Sequence, residues 1–120
     1  MNRAIKLVSE DLNISIGEFT VAGVSYGNFF AHHWFIATDD QVNSEKLKVM
    51  IDEKLKEIND DYEVERKHAL KEVFVDVLSE KTFMNFMKSK GKVGGQHKFP
   101  RVLKGKMLED WLRFLKEEKV

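Results

Sequence analysis

The run Gly94-Gly95-Gln96-His97-Lys98-Phe99-Pro100-Arg101 packs several distinct constraints into eight residues. Adjacent glycines let backbone N–H groups approach a ligand closely, because no Cβ stands in the way. Pro100 fixes its own φ and pushes Phe99 toward an extended conformation, so the Lys98 ammonium sits on a stiffened segment. A cation presented in this way suits an anion held at a fixed point, most simply a phosphate. The neighbouring residues agree in sign. Between Lys88 and Lys106 stand Lys88, Lys90, Lys92, Lys98, Arg101, Lys104 and Lys106, with no Asp or Glu among them. A solvated basic loop accounts for the same residues, so their types and spacing leave anion binding and simple solvation both open. A Walker A loop is excluded, since no GxxxxGK[ST] occurs, and the Gly91 to Gly95 spacing fails GxGxxG.

Other candidates for chemistry are weaker. His32 and His33 are adjacent, but successive strand residues point to opposite faces, so the two rings cannot close on one ion. His68 and His97 add no ligand spacing, and neither HExxH nor an EF-hand pattern occurs, so no metal site is expected. Nucleophilic catalysis lacks its parts: there is no Cys and no GxSxG elbow. The acids Glu57, Asp60, Asp61, Glu63 and Glu65 read as a solvated helix end and connector before they read as an acid/base pair. Tyr26, Phe30 and Trp34 could line a ligand-sensing sheet face, although core packing explains them better.

These residues need a fold to position them. With 120 residues, 42% hydrophobic, including nine Phe and two Trp, the chain can build one core and is too short for two. The absence of Cys excludes a disulfide framework, and no apolar stretch resembles a signal peptide or a membrane span. A soluble, cytoplasmic protein is the expectation. Net charge is zero, which argues against a dedicated nucleic-acid binder, and the cations of the 88–106 segment are balanced by an acidic excess elsewhere.

Periodicity supplies the elements. Ala4, Ile5, Val8 and Leu12 mark a short helix, and residues 14–24 a strand that ends in the turn formers Gly23 to Asn28. Phe29 to Thr38 reads as a second strand, antiparallel to the first, and its apolar residues on both faces place it centrally. Asn43 or Ser44 starts a helix in which Leu47, Met50, Ile51, Leu55 and Ile58 recur at helical spacing. Asp60 to Lys67 looks like an exposed connector or edge, and Ala69 to Leu78 like a third strand. Ser79 caps a helix running to Lys90, Gly91 stops it, and a loop leads to a final helix from about Lys106 to Glu118 that buries Leu108, Trp111, Leu112 and Leu115. This order predicts an α+β domain with a small, mainly antiparallel sheet of three or four strands and helices packed on it. If the second and third strands lie parallel, the Asn43 helix lies in their crossover.

Gly95-Gln96-His97-Lys98-Phe99-Pro100-Arg101 resembles the GQ-x-K-x-PR stretch near the C-terminus of the auxin-responsive promoter (Gretchen Hagen) family of acyl-acid amido synthetases, which belong to the adenylate-forming enzymes. Glu18-Phe19-Thr20-Val21 is similar to that family's E-[FY]-T strand, and His33-Trp34-Phe35-Ile36 to its following aromatic strand. Val73 to Val77 with Thr82-Phe83 resembles a later strand followed by G-T-F. Two departures stand out: Lys81 replaces the usual Gly before Thr-Phe, and His97 stands where Tyr, Phe or Asn often precedes the lysine.

The resemblance implies that residues 1–120 form one domain, the small C-terminal part that rotates over the active site of a larger enzyme. An N-terminal domain, absent here, would bind ATP and a carboxylic acid. The activity implied is acyl-adenylate formation with Mg²⁺, followed by acyl transfer to an amine or amino acid. Lys98 would be the mobile catalytic lysine meeting the phosphates, with Arg101, Gly95 and Gln96 at the nucleotide phosphates, Arg101 holding either the loop or the nucleotide and Gln96 alternatively only shaping the turn. ATP and Mg²⁺ would then be used by the complete enzyme, and the isolated domain would hold no cofactor and be inactive. The alternative is a stand-alone α+β module that binds nucleic acid or an acidic partner through the 88–106 segment. Neutral net charge disfavours nucleic acid, and no membrane partner is expected.

Overall fold

Two nine-residue strands, β1 (Glu18–Tyr26) and β2 (Phe29–Ala37), are joined by Gly27 and Asn28. Gly27 takes the positive φ, 61°, that a two-residue hairpin turn needs, at no cost to a residue without Cβ. In this computed structural model, which describes residues 2–91 and 99–118, the hairpin is fully antiparallel. Its register runs from Glu18 opposite Ala37 to Tyr26 opposite Phe29.

A helix, α1 (Asn2–Leu12), precedes the hairpin. After it come α2 (Ser44–Ile58), α3 (Asp60–His68) and β3 (Leu70–Leu78), which pairs parallel with β2. Then follow α4 (Glu80–Ser89), the two-residue strand β4 (Val102–Leu103) and α5 (Gly105–Glu118). The sheet order is β3-β2-β1-β4, with β4 parallel to β1, so an antiparallel centre carries a parallel strand on each flank. The expected α+β class holds. β2 is central, and the crossover to β3 passes through α2 as anticipated.

Strand alternation gives the sheet two buried faces. On one, Trp34 and Ile36 of β2 pack with Phe19 and Val21 of β1, Ile5 and Val8 of α1, and Leu47, Ile51 and Leu55 of α2. On the other, Phe35 and Ala37 meet Phe83, Phe86 and Met87 of α4 and Trp111 of α5. The helices are started by side chains suited to the task. Asn43 accepts from the Lys46 amide, Asn59 from Tyr62 and Ser79 from Thr82, each relieving an amide that has no partner within its helix.

Three expectations need correction. Asp60 to Lys67 is helical: Asn59 caps it, acids fill its first turn and Arg66, Lys67 and His68 its last, a charge order that suits the helix dipole. Ile14 to Gly17 is not strand. Asn13 turns the chain with φ 55°, Asp40 accepts from the Ser15 amide at 2.7 Å, and the Thr38 hydroxyl donates to the Ser15 carbonyl at 2.7 Å. Leu112 is exposed, and Phe114, two residues on and so on the opposite side of the helix, packs on the core in its place. Among the described residues no helix is long and apolar enough to cross a membrane.

Candidate functional site

The motif picked out in the sequence straddles the limit of the described residues. Gly94, Gly95, Gln96, His97 and Lys98 lie outside them, whereas Phe99, Pro100 and Arg101 lie within. The structure therefore describes the two ends from which the segment springs.

At the leading end, the sequence of α4 alternates its inward Phe83, Phe86 and Met87 with polar residues, fixing the helix against the sheet. Lys90 is its C-cap, and Gly91 follows with φ 74°, the left-handed conformation that favours glycine after a helix. The Lys90 ammonium is hydrogen-bonded to Asp110 of α5, and Lys106 reaches the other oxygen of that carboxylate at 3.1 Å. Hydrogen bonds from Lys90 and then Lys106 hold the Asp110 carboxyl below the usual carboxylate range. The triad ties the end of α4 to the start of α5.

At the trailing end, Phe99 is 3% exposed. Its ring centroid lies 4.8 Å from that of Phe83 and 5.0 Å from that of Trp111, both in edge-on arrangements that aromatic quadrupoles favour. Arg101 then fastens the chain to β1 in three ways. Its guanidinium is hydrogen-bonded to the Glu18 carboxylate, donates to the Phe19 carbonyl at 3.1 Å, and lies 4.2 Å from the centre of the Phe19 ring. The backbone adds a fourth tie: the Val21 amide donates to the Arg101 carbonyl at 2.9 Å, one bond before the β4 pairing begins. The planar, five-donor guanidinium suits such multiple contacts, which a lysine could not reproduce.

The cations expected to act together are therefore divided. Arg101 is engaged with β1, Lys90 and Lys106 converge on Asp110, and Lys88 and Lys104 are exposed. A groove of about 250 Å³ opens beside Arg101, lined by Lys6, Ser9, Gly17, Glu18 and Phe19 among others. The histidines divide as well. The His32 ring lies near Tyr62 on the first face, whereas the Nε2 of His33 is 2.8 Å from Asp76 and its ring stacks on Phe35 at 4.2 Å on the second. Among the described residues, no group of three His, Asp or Glu could hold a metal ion.

Sequence reasoning missed the acceptors. Glu18 reads in the sequence only as part of a strand, and no local pattern pairs it with Arg101, 83 positions away. It also missed a polar cluster between α2 and α3. Asp52 of α2 accepts from the Tyr62 hydroxyl at 2.6 Å and from Arg66 Nε at 2.9 Å, while Arg66 also reaches the Leu70 carbonyl at 2.8 Å. Burial alone would raise the Asp52 pKa, but the Tyr62 hydroxyl and the Arg66 guanidinium more than offset it and leave the carboxyl below its ordinary range.

Residues 1–106 match the model of the GH3 family C-terminal domain. The chain belongs to that family. Two solved structures share the fold of this GH3 C-terminal domain. One, a GH3.15 acyl acid amido synthetase, is 20% identical with a TM-score of 0.63, the alignment covering 96% of this chain and 23% of that one. Another, described as AtGH3.15 acyl acid amido synthetase in complex with 2,4-DB, is 17% identical with a TM-score of 0.63, covering 96% and 22%. The GH3 domain thus spans less than a quarter of the chains it resembles. No curated protein sequence matches it.

Proposed function

We propose that this GH3 C-terminal domain closes over the active site of an ATP-dependent acyl acid amido synthetase and supplies Lys98 to the phosphates during acyl-adenylate formation. The observation that carries the proposal is the anchorage of the residues next to Lys98. Phe99 is one peptide bond away, about 3.8 Å between Cα atoms, and is buried among three aromatic rings. Arg101, two residues further on, is bound to β1. A lysine following a glycine-rich run and preceding so firm an anchor delivers its charge to a defined place, which electrostatic catalysis requires.

The division of labour follows from the other contacts. Arg101 is committed to Glu18 and Phe19, so its part is to hold the base of the segment. Gly95 and Gln96 would shape the approach to the nucleotide. ATP, Mg²⁺ and the carboxylic acid would be held by an N-terminal domain, as the family resemblance implies. When bound there, Mg²⁺ would neutralise phosphate charge, and this domain would add one ammonium. The second step would pass the acyl group to an amine. The pairing of Lys90 and Lys106 with Asp110 weakens the alternative of a nucleic-acid surface, because it neutralises part of the basic segment.

The test separates the half-reactions. In a synthetase carrying this domain, Lys98→Ala should slow acyl-adenylate formation about 100-fold, on the scale of one lost transition-state contact. Amide formation from supplied acyl-adenylate should change little. Equal losses in both steps would overturn the assignment.

A further inference from the structure

The second face of the sheet is only partly covered. α4 and α5 pack over Phe35, Ala37, Ala22 and Leu103, but toward the hairpin turn the aromatic residues lie open. Tyr26 is 44% exposed, Phe29 51% and Phe74 39%. Tyr26 and Phe29 are opposite one another across the hairpin, and Phe74 of β3 is 6.1 Å from Tyr26, centroid to centroid. The strip continues: Phe74 is 5.9 Å from His33, which stacks on Phe35 at the floor of a groove of about 480 Å³ that exposed Leu112 also lines. Scattered exposed apolar residues are ordinary, whereas a continuous aromatic strip with a polar margin marks a docking surface. The margin here is Lys71 over the Phe29 ring, the His33–Asp76 pair, and Arg113 and Lys116 beside the groove.

We infer that this strip is where the domain docks on the N-terminal part of a synthetase chain. The inference rests on the function proposed above for its partner. Two observations favour that occupant. The matched family model is by name a C-terminal domain, and the fold makes up 23% and 22% of the two matched chains, so in those proteins it adjoins a much larger body. The strip is also long, open and aromatic, which suits a protein surface better than a small ligand needing enclosure. With Lys71, Arg113 and Lys116 around it, the facing surface should be apolar at its centre and acidic at its edge.

Carbene footprinting tests this, comparing the 120-residue domain alone with a full-length synthetase carrying it. Tyr26, Phe29 and Phe74 should be labelled severalfold less in the full-length protein. Val49 of α2, Val64 of α3 and Met84 of α4, exposed outside the strip, provide the internal standard and should be labelled alike in both. Phe74→Asp should restore labelling of Tyr26 in the full-length protein while leaving the melting temperature of the isolated domain nearly unchanged. Equal labelling of the strip in both proteins overturns the inference. So does strip protection in the isolated domain that grows with concentration alongside a dimer in sedimentation, since a second copy would then be the occupant. Assaying acyl-adenylate formation on the same full-length protein separates the two proposals. Adenylation with a fully labelled strip sinks only the docking surface, and a protected strip without adenylation sinks only the catalytic role.

Discussion

On the face covered by α1, α2 and α3, branched aliphatic side chains fill most of the space and one polar cluster, Asp52 with Tyr62 and Arg66, pins helix to helix. On the opposite face, Phe35, Phe83, Phe86, Phe99 and Phe114 all lie within 6.3 Å of the Trp111 ring, centroid to centroid. Aliphatic packing depends on total volume and tolerates rearrangement, whereas interlocked rings fix orientation as well. The molecule places its most orientation-specific packing around Phe99, the residue that directly follows Lys98 in the chain. Its polar cluster sits on the far side of the sheet from Phe99 and stabilises the packing of α2 against α3.

Removing one ring should therefore have the greatest effect. Phe99→Ala should destabilise the isolated domain by about 3–5 kcal/mol, as expected for truncating a buried aromatic side chain, measured by urea denaturation. In a full-length synthetase under conditions where the variant stays folded, adenylation should also fall, because the anchor beside Lys98 is gone. Phe99→Leu, which keeps most of the volume but not the edge-on contacts, should recover much of the stability and less of the adenylation rate. Full recovery of both would reduce the cluster to ordinary core packing.

The polar cluster offers the opposite case. Asp52→Ala leaves the Arg66 guanidinium and the Tyr62 hydroxyl without their shared acceptor in a site where Asp52 is only 13% exposed. A loss of about 2 kcal/mol is expected, between the cost of an unpartnered polar group and that of a broken buried ion pair. Adenylation in the full-length protein should be unchanged at temperatures where the domain is folded. If Asp52→Ala slowed that step as much as Phe99→Ala, the functional separation of the faces would fail.

How much of this was legible in the sequence follows from which interactions are local. α2, α4 and the hairpin announce themselves through caps, 3.6-residue spacing and a Gly-Asn turn, all set by neighbouring residues. α3 was read as a connector because its one buried residue, Tyr62, leaves no apolar periodicity to see. Its charge order, acids first and bases last, was the available signal. β4 has two residues and exists because Arg101 and the parallel register hold it against β1, a pairing some eighty positions away that no local pattern reveals. The same distance explains the motif. Its composition pointed to an anion and left Arg101 to hold either the loop or the nucleotide, but its engagement by Glu18 depends on strands being brought together, so the partner emerged only from the fold.

Histidine 32 sharpens the contrast further, with the smallest effect. Its ring is packed near Phe30 and Tyr62, its Nδ1 is buried without a partner among the described residues, and Arg66 and Glu65 of α3 are the charges that act on it. Burial first, and the Arg66 guanidinium second, push its pKa below the ordinary 6.5, with Glu65 opposing. The folded state therefore favours the neutral ring, and the unfolded chain takes up the proton first as the pH falls. Stability is full above about pH 6.5 and declines as the pH drops from there toward the depressed folded value, with a slope no steeper than about 1.4 kcal/mol per pH unit for one proton. His32→Gln removes that proton and should flatten the decline over this window in pH-dependent urea denaturation of the isolated domain. A slope that survived His32→Gln unchanged would take the acid sensitivity away from this ring and leave the aliphatic face without its titrating group.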